Sequence, residues 1–321
     1  MIGRKIYNTF IKAVSATLAC LCVIGVSVGC ANGSQDNRPK LVFSTFVLYD
    51  WAKNILGEDA DKYDMRILGA NGADIHSYQP TVSEISLLSE CKAFFHIGGE
   101  SDEWVDKILE TVPSEERARV DFAELLISDG ELPAGHEDHA EEHLADEHIW
   151  FSFDHVCYAV EKTASELGKL SPDRADTYEK NAASYCESVR ALGLEYKAAA
   201  DNAKTKNVVV ADRYPFYYLF SELFITVHAA FEGCSAESEA SFEVISKLSA
   251  KLDEFKLGCV IVCEGSDKKI AQTVIDNSSR KEARILTLNS MQSVTQNDIE
   301  NGASYLSILE SNLEVFKLAL S

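Results

Sequence analysis

"SPDRADTYEKNAASYCESVRALGLEYKAAADNAK", residues Ser171 to Lys204, decides how the rest of the chain is read. Ser171 is a capping residue type, and Pro172 suits a first helical position, where its missing N–H costs nothing. Beyond it the segment contains no further Pro and a single glycine, Gly193. At 1.5 Å per residue, about 30 helical residues span roughly 45 Å, more than one small lobe. A helix of that length in mid-chain joins two bodies rather than belonging to one.

The flanks agree. Before it lie short apolar runs at Leu41–Ser44, Met65–Leu68, Ala93–Ile97 and Val120–Phe122. After it lie Val208–Ala211, Phe224–His228, Cys259–Cys263 and Arg284–Leu288. Stretches with a period near 3.6 separate most of them, among them Tyr49–Leu56, Asp102–Leu109, Phe242–Phe255 and Asp267–Asp276. Strands alternating with helices imply parallel sheets covered on both faces. The expected fold class is therefore α/β: two α/β lobes with mainly parallel sheets, residues 40–170 and 205–321, joined by one long rigid linking helix at 171–204. Ligands of such paired lobes bind in the crevice at the carboxyl ends of the strands.

A length of 321 residues fits two domains. Net charge is −21, from 51 acids against 30 bases, which repels nucleic acid and favours a cation or a basic partner. The N-terminus reads as an export signal over residues 1–29. Arg4, Lys5 and Lys12 supply positive charge, and Ala13 to Gly29 is apolar or small. Cys30 at its end looks like the lipidated first residue of a mature bacterial lipoprotein, although Ser27 stands where such signals usually carry an aliphatic residue. A plain signal peptide or an uncleaved anchor is the alternative. Residues 30–39 then form a polar tether to the membrane. Beyond Cys30 the cysteines are Cys91, Cys157, Cys186, Cys234, Cys259 and Cys263, with no C-x-x-C pair among them. A thiolate zinc site is thus not indicated. Buried thiols and a disulfide framework both remain open in an exported chain.

Four segments carry a family resemblance. "NGADIHSYQPT" (Asn71–Thr81), "HIGGESDEWVDKIL" (His96–Leu109), "DEHIWFS" (Asp146–Ser152) and "ADRYPFYYLF" with "AAFEGCSAESEAS" (Ala211–Ser241) resemble the metal-binding receptors of bacterial zinc and manganese ABC importers. The zinc lipoproteins of Firmicutes are the most similar type, and the resemblance runs from about Lys40 to the C-terminus. It implies two α/β lobes joined by a long helix, and a protein that hands a metal ion to a membrane permease. It implies that His76 and His148 are metal ligands from the first lobe. In the second lobe it points to Asp212, just after the strand "NVVV". The last ligand of relatives, Asp or His shortly after the final strand, is missing here. Asn289 and Gln292 stand in that region instead, and an amide oxygen binds zinc more weakly than either. Glu264, after "CVIVC", closes the shell or pairs with Arg213, and water is a further candidate. Taken singly, His76 and His148 read as loop histidines, and Asp212 as a helix cap or a partner of Arg213. His96 and His228 lie on strands and read as core or sheet-end residues; His155 reads as support for a helix.

"HEDHAEEHLADEHIW", His136 to Trp150, holds four histidines and six carboxylates. His139, Glu142 and His143 match the H-x-x-E-H pattern of one metalloprotease class. That chemistry needs a buried helix, and Ala134 to Ala145 contains one Leu and no other large apolar side chain. The stretch (residues 135–147) reads as a loop whose His136, His139 and His143 collect metal weakly beside the tighter site; a solvated acidic loop is the plainer alternative. No G-x-S-x-G, P-loop or dinucleotide fingerprint occurs. The expectation is a binding protein, not an enzyme, and a monomer. Its cargo is Zn2+, because imidazole suits zinc and manganese sites are richer in carboxylate. Mn2+ is the alternative, and a surface adhesin or a metallohydrolase are the rival classes.

Overall fold

The computed structural model describes residues 36–69, 72, 75–132, 146–231 and 239–321. The expected signal peptide and Cys30, the loop bearing His136, His139 and His143, and Cys234 lie outside the described residues. Residues up to Arg38 separate from the body Pro39–Ser321, and the account below concerns that body.

Eight strands are described: β1 (Lys40–Phe43), β2 (Asp64–Ile67), β3 (Ala93–His96), β4 (Ala118–Asp121), β5 (Asn207–Val210), β6 (Thr226–Ala229), β7 (Cys259–Cys263) and β8 (Arg284–Leu288). They form two four-stranded sheets ordered β2-β1-β3-β4 and β6-β5-β7-β8, and the pairings are parallel throughout. Helices make the crossovers. In the first lobe these are α1 (Phe46–Leu56), α2 (Val82–Glu90) and α3 (Trp104–Thr111), with α4 (Phe122–Ser128) after β4. In the second they are α7 (Tyr217–Glu222), α8 (Phe242–Glu254) and α9 (Lys269–Asn277). Between the lobes come α5 (Phe153–Leu170) and α6 (Ala175–Asp201); α10 (Gln296–Glu300) and α11 (Tyr305–Ala319) close the chain.

The central strands are apolar on both faces because each face has a cover. Leu41 and Phe43 of β1, with Ala93 and Phe95 of β3, enter one large core, while Val42 and Phe94 point into a separate outer cluster. The second lobe repeats the pattern. Val208, Val210 and Ile261 join the same large core, and Val209, Val260 and Val262 turn to an outer cluster with Leu248 and Val274. This is the period of two expected of a strand. Its consequence is that one hydrophobic core runs unbroken from sheet to sheet, through α5 and α6.

α6 is the linking helix. It begins at Ala175, three residues after Pro172, because Ser171–Arg174 first close a turn in which Arg174 N donates to Ser171 O at 2.9 Å. Its 27 residues span about 40 Å. Near its start Asn181 Nδ2 donates to Ile55 O of α1 at 2.8 Å, and near its end Tyr196 OH donates to Leu309 O of α11 at 2.7 Å. Gly193 lies where the Phe153 ring of α5 presses closest; a Cβ there would sit 3.0 Å from that ring. α5 also reaches the second lobe, where the His155 ring meets Tyr218 edge-on at 5.0 Å.

A buried acid marks the junction. Asp50 of α1 is 5% exposed, and its Oδ2 accepts from Tyr185 OH of α6 at 3.3 Å and from Tyr305 N of α11 at 3.1 Å. Trp51 packs edge-on against Tyr305 beside it. Cys91, Cys157, Cys186 and Cys259 are buried free thiols, and Cys263 is buried in β7. His96 is buried in β3 against Phe94, and His228 of β6 bonds Asn207 Oδ1 at 3.1 Å, as core and sheet-end residues do.

Candidate metal centre

Three segments at the carboxyl ends of the first sheet build one half of a site. After β2 the chain turns at Gly69 (φ +65°), where a Cβ would sit 3.0 Å from the Tyr78 ring. A single helical turn, Ile75–Ser77, then presents His76 before Thr81 caps α2 through a reciprocal bond pair with Glu84. After β3 the chain passes Gly98 and Gly99 into the turn Glu100–Asp102, which carries Ser101. Gly99 (φ +83°) is required there: a Cβ would lie 2.9 Å from Glu147 Oε2. The third segment is Asp146-Glu147-His148, held by Tyr218 OH donating to Asp146 O at 2.8 Å and followed by the turn Ile149–Phe151.

The two histidines meet, with ring centroids 5.4 Å apart. His148 is 2% exposed. Its Nδ1 lies 2.7 Å from Asp146 Oδ1, which also accepts His148 N at 2.8 Å. His76 Nδ1 lies 3.0 Å from Glu147 Oε1 and 2.8 Å from Ser101 Oγ. Ser101 donates twice to Glu147, from Oγ to Oε1 at 2.6 Å and from N to Oε2 at 2.8 Å. A carboxylate accepts only, so each Nδ1 carries the proton and each Nε2 presents a lone pair. That is the tautomer a metal-binding imidazole needs, fixed by a carboxylate behind it. Burial alone would raise the Glu147 carboxyl. The His76 hydrogen bond, the neighbouring His148 ring and the two Ser101 donors outweigh it and hold it below the ordinary range. Among the described residues, His76, Glu147 and His148 are the cluster of metal-binding side chains, with ligand atoms within 4.8 Å of one another.

The second lobe supplies Gln292, from the loop after β8. Its Nε2 lies 3.0 Å from His76 Nε2 and 2.5 Å from His148 Nε2. Both lone pairs thus converge on one amide nitrogen. The loop is pinned to the first lobe by Trp150 Nε1 donating to Ser290 O at 3.0 Å.

The other expected residues are engaged elsewhere. Asp212 follows β5; its Oδ1 accepts Arg213 N at 2.9 Å and its Oδ2 accepts Cys263 N at 3.2 Å. Glu264 follows β7 and grips the Gln292 loop, accepting Ser290 N at Oε2 and Ser290 Oγ at Oε1, both at 2.6 Å. Asn289 is bound to Asn312 through its backbone, and its Oδ1 accepts Met291 N at 2.8 Å. The structure therefore brings together His76 and His148, adds Gln292, and places Asp212, Glu264 and Asn289 in contacts of their own. The orienting roles of Asp146, Glu147 and Ser101 are not apparent from sequence. The only signal for the first two is a pair of acids written directly before His148.

Comparisons with known proteins follow the same line. A family model described as "Zinc-uptake complex component A periplasmic" matches residues 41–319. The zinc-binding lipoprotein AdcA of Streptococcus pneumoniae is 29% identical over 316 residues, which is 95% of this chain and 60% of that protein. The chain thus spans 60% of that relative's length. The manganese ABC transporter substrate-binding lipoprotein PsaA of Streptococcus pneumoniae is 26% identical over 314 residues, 95% of this chain and 94% of its own. The crystal structure of the Zn(II)-bound ZnuA-like domain of Streptococcus pneumoniae AdcA aligns with a TM-score of 0.70 at 23% identity, covering 88% of this chain and 99% of that one, a likeness of fold.

Proposed function

The chain belongs to the family of zinc-uptake complex component A proteins, and from that premise we propose that it captures Zn2+ between its lobes and hands it to the permease of an ABC importer. The family is one of binding components rather than enzymes. The observation that carries the reading is the pair His76 and His148, with each Nδ1 held by a carboxylate and each Nε2 lone pair aimed at one point between the lobes.

Zinc rather than manganese is argued from the donors. Manganese favours carboxylate and carbonyl oxygen, whereas two imidazoles suit zinc. Glu147 is turned to His76 and Ser101 and Asp212 to two backbone N–H groups, so the two imidazoles are the donors that meet at the point between the lobes. Asp212 accepts one backbone N–H at each oxygen and keeps further lone pairs, so it can add one carboxylate oxygen to the shell without losing those bonds. The rest of the reading comes from sequence. Lipid on Cys30 tethers a monomeric receptor at the outer face of the membrane, and the loop at 135–147 concentrates ions near the cleft.

The test is metal analysis of protein purified without chelator, followed by calorimetric competition between Zn2+ and Mn2+. One tightly held equivalent that manganese does not displace supports the reading. Displacement by equimolar manganese assigns the site to manganese, and no bound metal rejects capture.

A further inference from the structure

Away from the metal centre, we propose that Cys157 of α5 and Cys186 of α6 are a disulfide-forming pair that staples the two helices together in an oxidising compartment. The proposal takes from the function above only the place of the body at the outer face of the membrane, and it does not depend on which metal is bound. Cys157 Sγ lies 3.8 Å from Cys186 O, and Cys186 Sγ lies 3.7 Å from Cys157 O. Each sulfur has crossed to the other residue's backbone, so both side chains share one gap between the helices. The thiols also bond each other. The bond from Cys186 pulls the Cys157 thiol below the ordinary range against the effect of burial, and the same bond, together with burial, pushes the Cys186 thiol above it. Cys91 and Cys259 are placed differently, donating to Leu88 O at 3.3 Å and to Ala319 O at 3.9 Å.

The helix pair is built to hold them close. α5 and α6 are joined by the turn Ser171–Arg174 and pack along each other. Packed helices keep their axes about 8–10 Å apart, and a disulfide needs Cα atoms within about 7 Å. Small residues narrow the gap on either side of the pair. Toward the turn, a Cβ on Gly168 would sit 3.1 Å from Ala175 Cβ; toward the far end, one on Gly193 would sit 3.0 Å from the Phe153 ring. Cys157 is 2% exposed and Cys186 0%, so the bond forms while the two helices close on each other, not by later attack on the folded body. The Cys157 thiolate attacks one sulfur of a disulfide donor, of the kind that thiol–disulfide exchange catalysts carry, and expels one donor thiolate. The Cys186 thiolate then attacks the Cys157 sulfur and expels the second. One S–S bond forms and the donor's breaks; the donor takes two electrons and, with the two protons the cysteines release, becomes a dithiol. The closed ring runs from Cys157 to Cys186 around the turn, and ties the helix that leaves the metal centre to the helix that joins the lobes. Such a link restricts the unfolded chain, and it persists where the surroundings are oxidising.

The experiment uses the full chain, unfolded in reductant and refolded in a mixture of reduced and oxidised glutathione. The product is acid-quenched, alkylated in denaturant and mapped by peptide mass spectrometry. The expected result is a peptide pair joined through Cys157 and Cys186. Protein refolded in this way is expected to melt at least about 4 °C above protein refolded in reductant alone, and Cys157→Ala is expected to lose that gain. The comparison separates a covalent link from packing, because loss of a buried sulfur by itself lowers both melting temperatures alike. Should Cys157→Ala fail to fold, Cys186→Ala takes its place, and the wild-type peptide map decides without either. Wild-type protein with both cysteines alkylated after refolding overturns the pair. So does either cysteine joined to a different one, or a Cys157→Ala protein that keeps the full gain. Fractionation that places the chain inside the cell overturns the export reading, whereas the glutathione result decides the pair by itself.

Discussion

The two acids written directly before His148 hold both histidines of the candidate site. Asp146 serves His148 itself, and Glu147 reaches across to His76. Replacing His76 or His148 by Ala should lower zinc affinity by at least about 100-fold, since a ligand bond is lost outright. Asp146→Asn should cost about 10- to 100-fold without touching a ligand atom, because the amide can donate to Nδ1 and favour the wrong tautomer. Calorimetry on the three variants checks both expectations; an Asp146→Asn protein with wild-type affinity would show that packing alone orients His148. The two histidines are legible in sequence because both sit in distinctive motifs. The amide of Gln292 is legible only as a departure from the family pattern. Its approach to both Nε2 atoms joins residues 216 and 144 positions apart, which no local pattern records.

At the scale of elements the central strands are legible because each is a short apolar run bounded by breaks and covered on both faces, whereas the edge strands β4 (ARVD) and β6 (TVHA) start two residues away from the runs expected at Val120–Phe122 and Phe224–His228. What sequence could not supply is how α1, α6 and α11 knot together. Nothing in "FVLYDWAKNIL" marks Asp50 as buried, because its partners Tyr185 and Tyr305 lie 135 and 255 residues away. Burial pushes its carboxyl up to about 6, against the opposing pull of Tyr305 N, Tyr185 OH and Lys53. In the unfolded chain an Asp titrates near about 3.9. Between these values the folded protein holds the proton and the unfolded chain does not, so this group's contribution is full below about pH 4 and lost as pH rises through about 6. A difference of that size between folded and unfolded chain is worth about 3 kcal/mol. Asp50→Asn should therefore remove a fall in stability between about pH 4 and 6, measured as the difference between wild-type and variant urea midpoints across that range. Parallel curves would mean that Asp50 does not titrate there.

The whole molecule combines a braced body with a run of histidines and acids placed just before His148 in the chain. Deleting Gly135 to Ala145 should leave the tight zinc site intact, since His148 lies outside the deletion, and should remove weaker zinc equivalents. It should also slow capture at scarce metal, as several weak sites raise local ion concentration. A variant with His136, His139 and His143 changed to Gln and the acids kept separates imidazole from charge; if it captures zinc as fast as wild type, the stretch acts only as an acidic surface. The body itself offers little room to hinge. One core runs through both lobes, Trp150 and Tyr305 tie the lobes by bonds of 3.0 and 2.7 Å, and α6 is fastened near both ends. Small-angle scattering curves recorded with and without zinc should superimpose. A receptor of fixed outline keeps all of its binding free energy for the ion, because none is diverted into closing a jaw. Under the proposed zinc capture, such a body also cannot advertise its cargo by changing silhouette. On a chain of net charge −21, a permease touching the rim of the cleft would be weighing two added positive charges rather than feeling for a new contour.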